Sequence, residues 1–175
     1  MKIKCLVLTA LLLAIALVGF AQSKTKRAAA KPTAPDVIIK RLYKAQKAGT
    51  GPFFQTKSRA RIDKYFTKSI ADLIWKDAVE AKGEVGKLDF DPLFGVQDPT
   101  VTDFVIMEPG WGGDAKFGPA NEAVVQVTFK ISGNERMVSF RFHQQRSKLW
   151  KIYDIRYPND GSDRFLKEIL SGKAS

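Results

Sequence analysis

Apolar positions recur at spacings of three and four in the first half of the chain and at spacings of two in the second. In "DVIIKRLYKAQKAG", residues 36–49, Val37, Ile38, Leu42 and Ala45 fall at helical spacing. Asp36 stands where an N-cap would, after Pro35, and Gly49 stands as a stop. "GTGPFF" then interrupts the pattern. From Ser58 to Lys82 the apolar set is Ile62, Tyr65, Phe66, Ile70, Leu73, Ile74 and Ala78, an amphipathic helix. Thr67 is placed to cap a fresh start, which predicts two helices meeting at "YFT". Gly83 and Gly86 close the segment.

The period then changes to two. "TVTDFVIME" (100–108) is a first strand. "EAVVQVTFKIS" (122–132) places Val125, Val127, Phe129 and Ile131 on one face. Gly133-Asn134 predicts a tight turn. "ERMVSFRFHQQ" (135–145) puts Val138, Phe140 and Phe142 opposite Ser139, Arg141, His143 and Gln145. Arg146-Ser147-Lys148 makes the next turn. In "LWKIYDIRY" (149–157), Trp150, Ile152 and Asp154 oppose Leu149, Tyr153 and Ile155. Short connections imply an antiparallel meander. Residues 162–170 read as a closing helix capped by Ser162, with Phe165, Leu166, Ile169 and Leu170 inward. Helices followed by at least four antiparallel strands make an α+β domain.

Ahead of this domain the pattern is different again. Lys2 and Lys4 precede the apolar run "CLVLTALLLAIALV" (5–18), and "GFA" (19–21) supplies small residues for cleavage after Ala21. The run is short for a membrane span, which needs about 20 apolar residues. A secretory signal over 1–21 is therefore expected, with an exported, periplasmic or extracellular product. Its removal would take away Lys2, Lys4 and Cys5, the one cysteine among 175 residues, and lower the formal charge of +11 by two. Disulfides and thiolate chemistry are then excluded. Residues 22–36, "QSKTKRAAAKPTAPD", read as a basic linker. It is either a solvated tether or an arm in weak contact with an anionic envelope surface. The domain proper spans 37–171. No basic stripe interleaved with aromatics points to nucleic acid.

The candidate chemistry is sparse. "GKLDFDPLFGVQD" (86–98) places Asp89, Asp91 and Asp98 among apolar residues. Only Asp89 and Asp91 have calcium-loop spacing, and Pro92, Leu93 and Phe94 supply no ligand, so no metal is expected. Asp89 and Asp91 flank Phe90 and in an extended segment point the same way. These aspartates either bond backbone N–H groups of a long connection or present Asp91 to a pocket. His143, the only histidine, shares a strand face with Arg141 and Ser139. Asp154 is expected to pair with Arg141 on the neighbouring strand. "EPGWGGDAKFGP" (108–119) has no phosphate-loop pattern; Trp111 and Phe117 make it a candidate partner contact. No cofactor motif occurs.

"YFTKSIADLI", "GEVGKLDFDPLFGVQD", "AVVQVTFK" and "LWKIYDIRY", in this order, resemble the DUF3828 family of exported bacterial domains, within the NTF2-like superfamily. The resemblance spans roughly residues 37–171. It implies a cone: N-terminal helices packed on a curved antiparallel sheet, a short C-terminal helix and a pocket between the layers. It implies no activity. The expected function is non-enzymatic binding of an unidentified small ligand or protein at the cone pocket or rim. The expected ligand-binding residues are Asp91, Arg141, His143, Trp150 and Asp154. The alternatives are an NTF2-like lyase, isomerase or hydrolase using Asp91, His143, Asp154 and Tyr153, and an immunity-type interaction protein using Trp111 and Phe117. A homodimer through the sheet is compatible with the resemblance.

Overall fold

The computed structural model describes residues 32–112, 119–158 and 162–173. The expected leader, most of the basic linker and the middle of the glycine-rich loop, Phe117 included, lie outside these residues. Among the described residues the order is α1 (Pro35–Lys47), α2 (Arg59–Asp63), α3 (Lys68–Ala81), β1 (Val101–Ile106), β2 (Gly110–Trp111), β3 (Glu122–Ile131), β4 (Asn134–Gln144), β5 (Trp150–Tyr157), β6 (Arg164–Phe165) and α4 (Leu166–Ser171). Every strand pairing is antiparallel, in the order β1-β3-β4-β5-β6. β2 extends β1 along the same edge of β3. The domain is α+β, as the two periodicities predict.

The helices differ in detail from their sequence patterns. α1 buries Pro35, Ile39 and Leu42 rather than a stripe centred on Val37, Ile38 and Ala45, which are half-buried. Asp36 is not the cap. Ala34 takes the N-cap position, so the helix starts at Pro35, two residues earlier than a cap at Asp36 would start it, and Asp36 pairs inside the first turn with Lys40 at 3.0 Å. The break at "YFT" is real, and Thr67 does occupy the N-cap position of α3, although its side chain makes no cap bond. The break has a tertiary cause. Ile152 of β5 donates its N–H to the Tyr65 carbonyl (2.9 Å) and accepts from the Thr67 N–H (2.8 Å), so the chain between α2 and α3 pairs with the free edge of β5.

The sheet also departs from simple alternation. The β3–β4 hairpin closes at Ile131↔Asn134, so its two turn residues are Ser132 and Gly133, one position earlier than expected. Both have positive φ (50° and 80°), as a type I′ turn demands. Between β4 and β5, Arg141 opposes Asp154 while Phe142 opposes Ile152, so Tyr153 is an extra residue in a bulge. Ile152 and Ile155 consequently both reach the core, and Asp154 moves to the face of Arg141, away from Trp150 and Ile152. The expected single face of Trp150, Ile152 and Asp154 is thereby corrected. The closing helix is shorter than 162–170: residues 164–165 pair with β5 as β6, and Phe165, not Ser162, takes the N-cap position.

Phe129, Phe140, Phe142, Ile152 and Ile155 are at most 2% exposed and occupy the space between the sheet and Ile39, Leu42, Ile70 and Ile74 of the helices. The connection 83–99 is tied to both layers. Tyr43 of α1 donates its hydroxyl to the Leu93 carbonyl (2.6 Å), and Tyr157 of β5 donates to the Pro92 carbonyl (2.9 Å). Phe90 packs edge-on against Tyr157 at 5.4 Å. Gly95, at φ +73°, lies so close to Tyr157 that a Cβ would stand 2.8 Å from its ring. Replacing Tyr157 with Phe leaves a buried carbonyl bare and should cost about 1–3 kcal/mol in denaturant unfolding. An unchanged midpoint would show that the hydroxyl pin does not hold the connection.

Candidate functional site

The connection 83–99, α3 and the end of α1 enclose a cleft of about 690 Å³. Ile74, Ala78, Leu88 and Phe90 form its apolar wall, and Phe54 and Val85 stand at its mouth, 59% and 76% exposed. Asp77, Glu84, Asp89, Asp91 and Asp98 line it together, and among the described residues no Lys, Arg or His lines it. The nearby Lys87 turns its ammonium to the Leu170 carbonyl instead (2.8 Å).

Each carboxylate has a local reason for its place. Asp77 projects from α3 and accepts the N–H groups of Lys87 (2.7 Å) and Leu88 (3.3 Å), which anchors the start of the connection. Asp91 precedes Pro92, is held in a bridge with Val96, and accepts the Leu93 N–H at 2.8 Å. It therefore both turns the backbone and faces the cleft. Burial pushes its carboxyl above the ordinary value of 3.8, and the bond from Leu93 only partly offsets this. Asp89 and Asp91 line the same cavity, and so does Phe90 between them.

The other predicted site residues lie elsewhere. His143, near the end of β4, contacts the Asn121 amide through Nε2 (2.6 Å) and the Gln145 amide through Nδ1 (3.4 Å). It lines a groove with residues 144–148, separate from the acidic cleft. Trp150 lines a third, small hollow near the start of α1. Arg141, Tyr153 and Asp154 lie together on the sheet face opposite the core. The Arg141 guanidinium sits over the rings of Tyr153 (4.9 Å) and Phe165 (6.0 Å). The Tyr153 hydroxyl donates to Glu122 (3.0 Å), and burial together with that bond pushes its pKa up to about 12.

Asp154 does not form the expected ion pair with Arg141, although the two are register neighbours. One carboxylate oxygen accepts the N–H groups of Ile155 (2.9 Å) and Lys167 (3.1 Å), so Asp154 caps α4 from the neighbouring strand. Burial raises its pKa despite these donors. Trp111 on β2 is 49% exposed and stands 5.6 Å from Trp150, ring to ring. The five expected ligand-binding residues are thus distributed over four places. Sequence reading missed Asp77 and Glu84, whose carboxylates enter the cleft only because the connection folds back on α3; the Gly86 contact with Asp77 is the one local trace of that approach.

No family model matches the chain, and no curated protein matches it. A solved structure that it resembles is a phospholipid-binding protein from Ralstonia solanacearum in complex with a phospholipid, at 18% identity. The match covers 79% of this chain and 73% of that one, with a TM-score of 0.32. At that similarity it carries no argument about function.

Because the folded-state pKa of Asp91 is raised, the folded protein holds that proton more tightly than the unfolded chain. The group favours folding below pH 3.8 and loses that contribution as pH rises through its raised pKa. Asp91→Asn keeps an acceptor for the Leu93 N–H and removes the buried charge. It should raise Tm at pH 7, with the gain vanishing at pH 3. A lower Tm at pH 7 would mean that the charge itself supports the turn.

Proposed function

We propose that this chain is a non-enzymatic binding protein of the NTF2-like type, close to the DUF3828 family and exported, and that its cleft takes a small cationic ligand with an apolar body. The observation that carries the reading is the cleft lining: among the described residues, five acidic residues, an apolar wall and no basic residue, in a chain whose formal charge is +11. An ammonium group placed near Asp91 would offset the cost of its partly buried charge, and Phe54 and Val85 would cover the apolar part. Helices against one antiparallel sheet, bent by bulges, are compatible with the NTF2-like assignment. Binding is favoured over catalysis because Asp91 and His143, the acid–base pair of the enzymatic alternative, line separate cavities.

Calorimetric titration at pH 7 with octylamine and with octanoate tests the reading. Octylamine should bind and octanoate should not. Asp91→Asn should weaken octylamine binding by roughly five- to tenfold, the scale of one charge-assisted contact. Affinity should also fall as pH drops through the raised Asp91 pKa. Equal binding of amine and carboxylate would overturn the proposal.

A further inference from the structure

The end of the domain at which the chain enters α1 has the opposite character. Trp111 and Leu149 are 49% and 51% exposed, and Trp150 lies beside Trp111. A hollow of about 150 Å³ opens there, lined by Thr33, Ile38, Arg41, Lys64, Leu149 and Trp150 among others, with no acid among the described residues that line it. Arg41 is exposed, and Lys64 lies over the Tyr65 ring at 5.2 Å. Arg146 and Lys148 are exposed in the adjoining turn. Lys151 is not part of this surface charge, because its ammonium bonds the carbonyls of Asp63 and Lys64 (2.6 and 2.7 Å). Two acids of α1 and α2 are engaged, Asp36 with Lys40 and Asp63 with Arg59, each at 3.0 Å. In sequence, Thr33 is preceded by Lys24, Lys26, Arg27 and Lys31.

α1 separates the two electrostatic regions. Ile38 and Arg41 face the basic hollow, and Gln46 lines the acidic cleft. A negatively charged surface would attract one end of the molecule and repel the other, which fixes an orientation.

We infer that this basic, tryptophan-bearing end docks on an anionic phospholipid bilayer, leaving the acidic cleft turned away from the membrane. A bilayer fits better than a soluble polyanion because Trp111, Trp150 and Leu149 have no role in charge pairing. Tryptophan is suited to the membrane interface, where an apolar ring and a polar N–H are both accommodated. The exposed apolar area is small, so charge and insertion must act together, and binding is salt-sensitive. This inference does not depend on what the cleft binds.

Residues 22–175 are the material for the test. They retain every buried core residue, all of which lie between Ile39 and Leu170, and lack the apolar run 5–18 that would itself enter lipid. Co-sedimentation should occur with vesicles of phosphatidylglycerol and phosphatidylcholine and not with phosphatidylcholine alone. Added salt should release the protein. Tryptophan emission should shift to the blue, and brominated lipids should quench it in the unsubstituted protein. Arg41→Glu with Lys64→Glu should weaken partitioning by at least about tenfold, since each basic residue near such a surface contributes on the order of a fivefold gain. Trp111→Ser with Leu149→Ser should abolish most of the blue shift. All four side chains are exposed, so circular dichroism should be unchanged. Absence of vesicle binding at low salt would overturn the inference. So would equal binding to polyphosphate with no quenching by brominated lipid, which would identify a polyanion site.

Discussion

The structure depends on the way β5 is shared. At Ile152 its inner edge pairs with β4, while its outer edge takes two backbone hydrogen bonds from the chain between α2 and α3. The neighbouring Lys151 ammonium bonds two carbonyls at the end of α2, although burial lowers its pKa. A few residues later the same outer edge pairs with β6. The Tyr153 bulge lies between these two partners. One strand therefore fixes the joint of the helical layer, the start of α4 and the core positions of Ile152 and Ile155. A sheet edge left unpaired would expose backbone groups, so its local satisfaction by two different segments is the constraint from which the helix positions follow.

The acidic connection is a consequence of that arrangement. It crosses between layers that are already placed, and two tyrosine hydroxyls from opposite layers hold successive carbonyls, Pro92 and Leu93. Burial raises both tyrosines well above their ordinary pKa, so they remain neutral donors. With its backbone fixed by Tyr43, Tyr157 and Asp77, the segment can carry several carboxylates toward one cavity without needing them for its own folding. Asp91 is the exception, since it also bonds Leu93.

Fold class was legible because periodicity reports burial directly. The strands over 122–131 and 134–144 follow, to within a residue at their ends, from side-chain alternation, whereas the break at Thr67 is made by the edge of β5. What escaped was set by partners distant in sequence. The α1 face is rotated because Tyr43 and Leu42 answer to β3, β4 and the connection. Residues 164–165 became strand because β5 offered an edge. Tyr153 in a bulge looks like any alternating residue, so the face of Asp154 could not be read from "WKIYDI". The site was half legible. Asp89 and Asp91 share a cavity, but Phe90 between them lines it too, and Asp77 and Glu84 join them only through chain reversal at Gly83 and Gly86.

The closeness of Asp89, Asp91 and Asp98 in residues 86–98 is thereby an electrostatic question about the whole molecule. A strongly basic chain would neutralise such a cluster easily if cations were free to reach it. Here the available ammonium of Lys87 is engaged with the end of α4, and Asp77 is engaged with the backbone that carries Lys87. The packing that builds the cleft also holds the Lys87 ammonium away from it. Asp91 consequently bears its charge against burial rather than against a partner, and that cost is the physical feature that distinguishes this cleft from an ordinary solvated acidic surface.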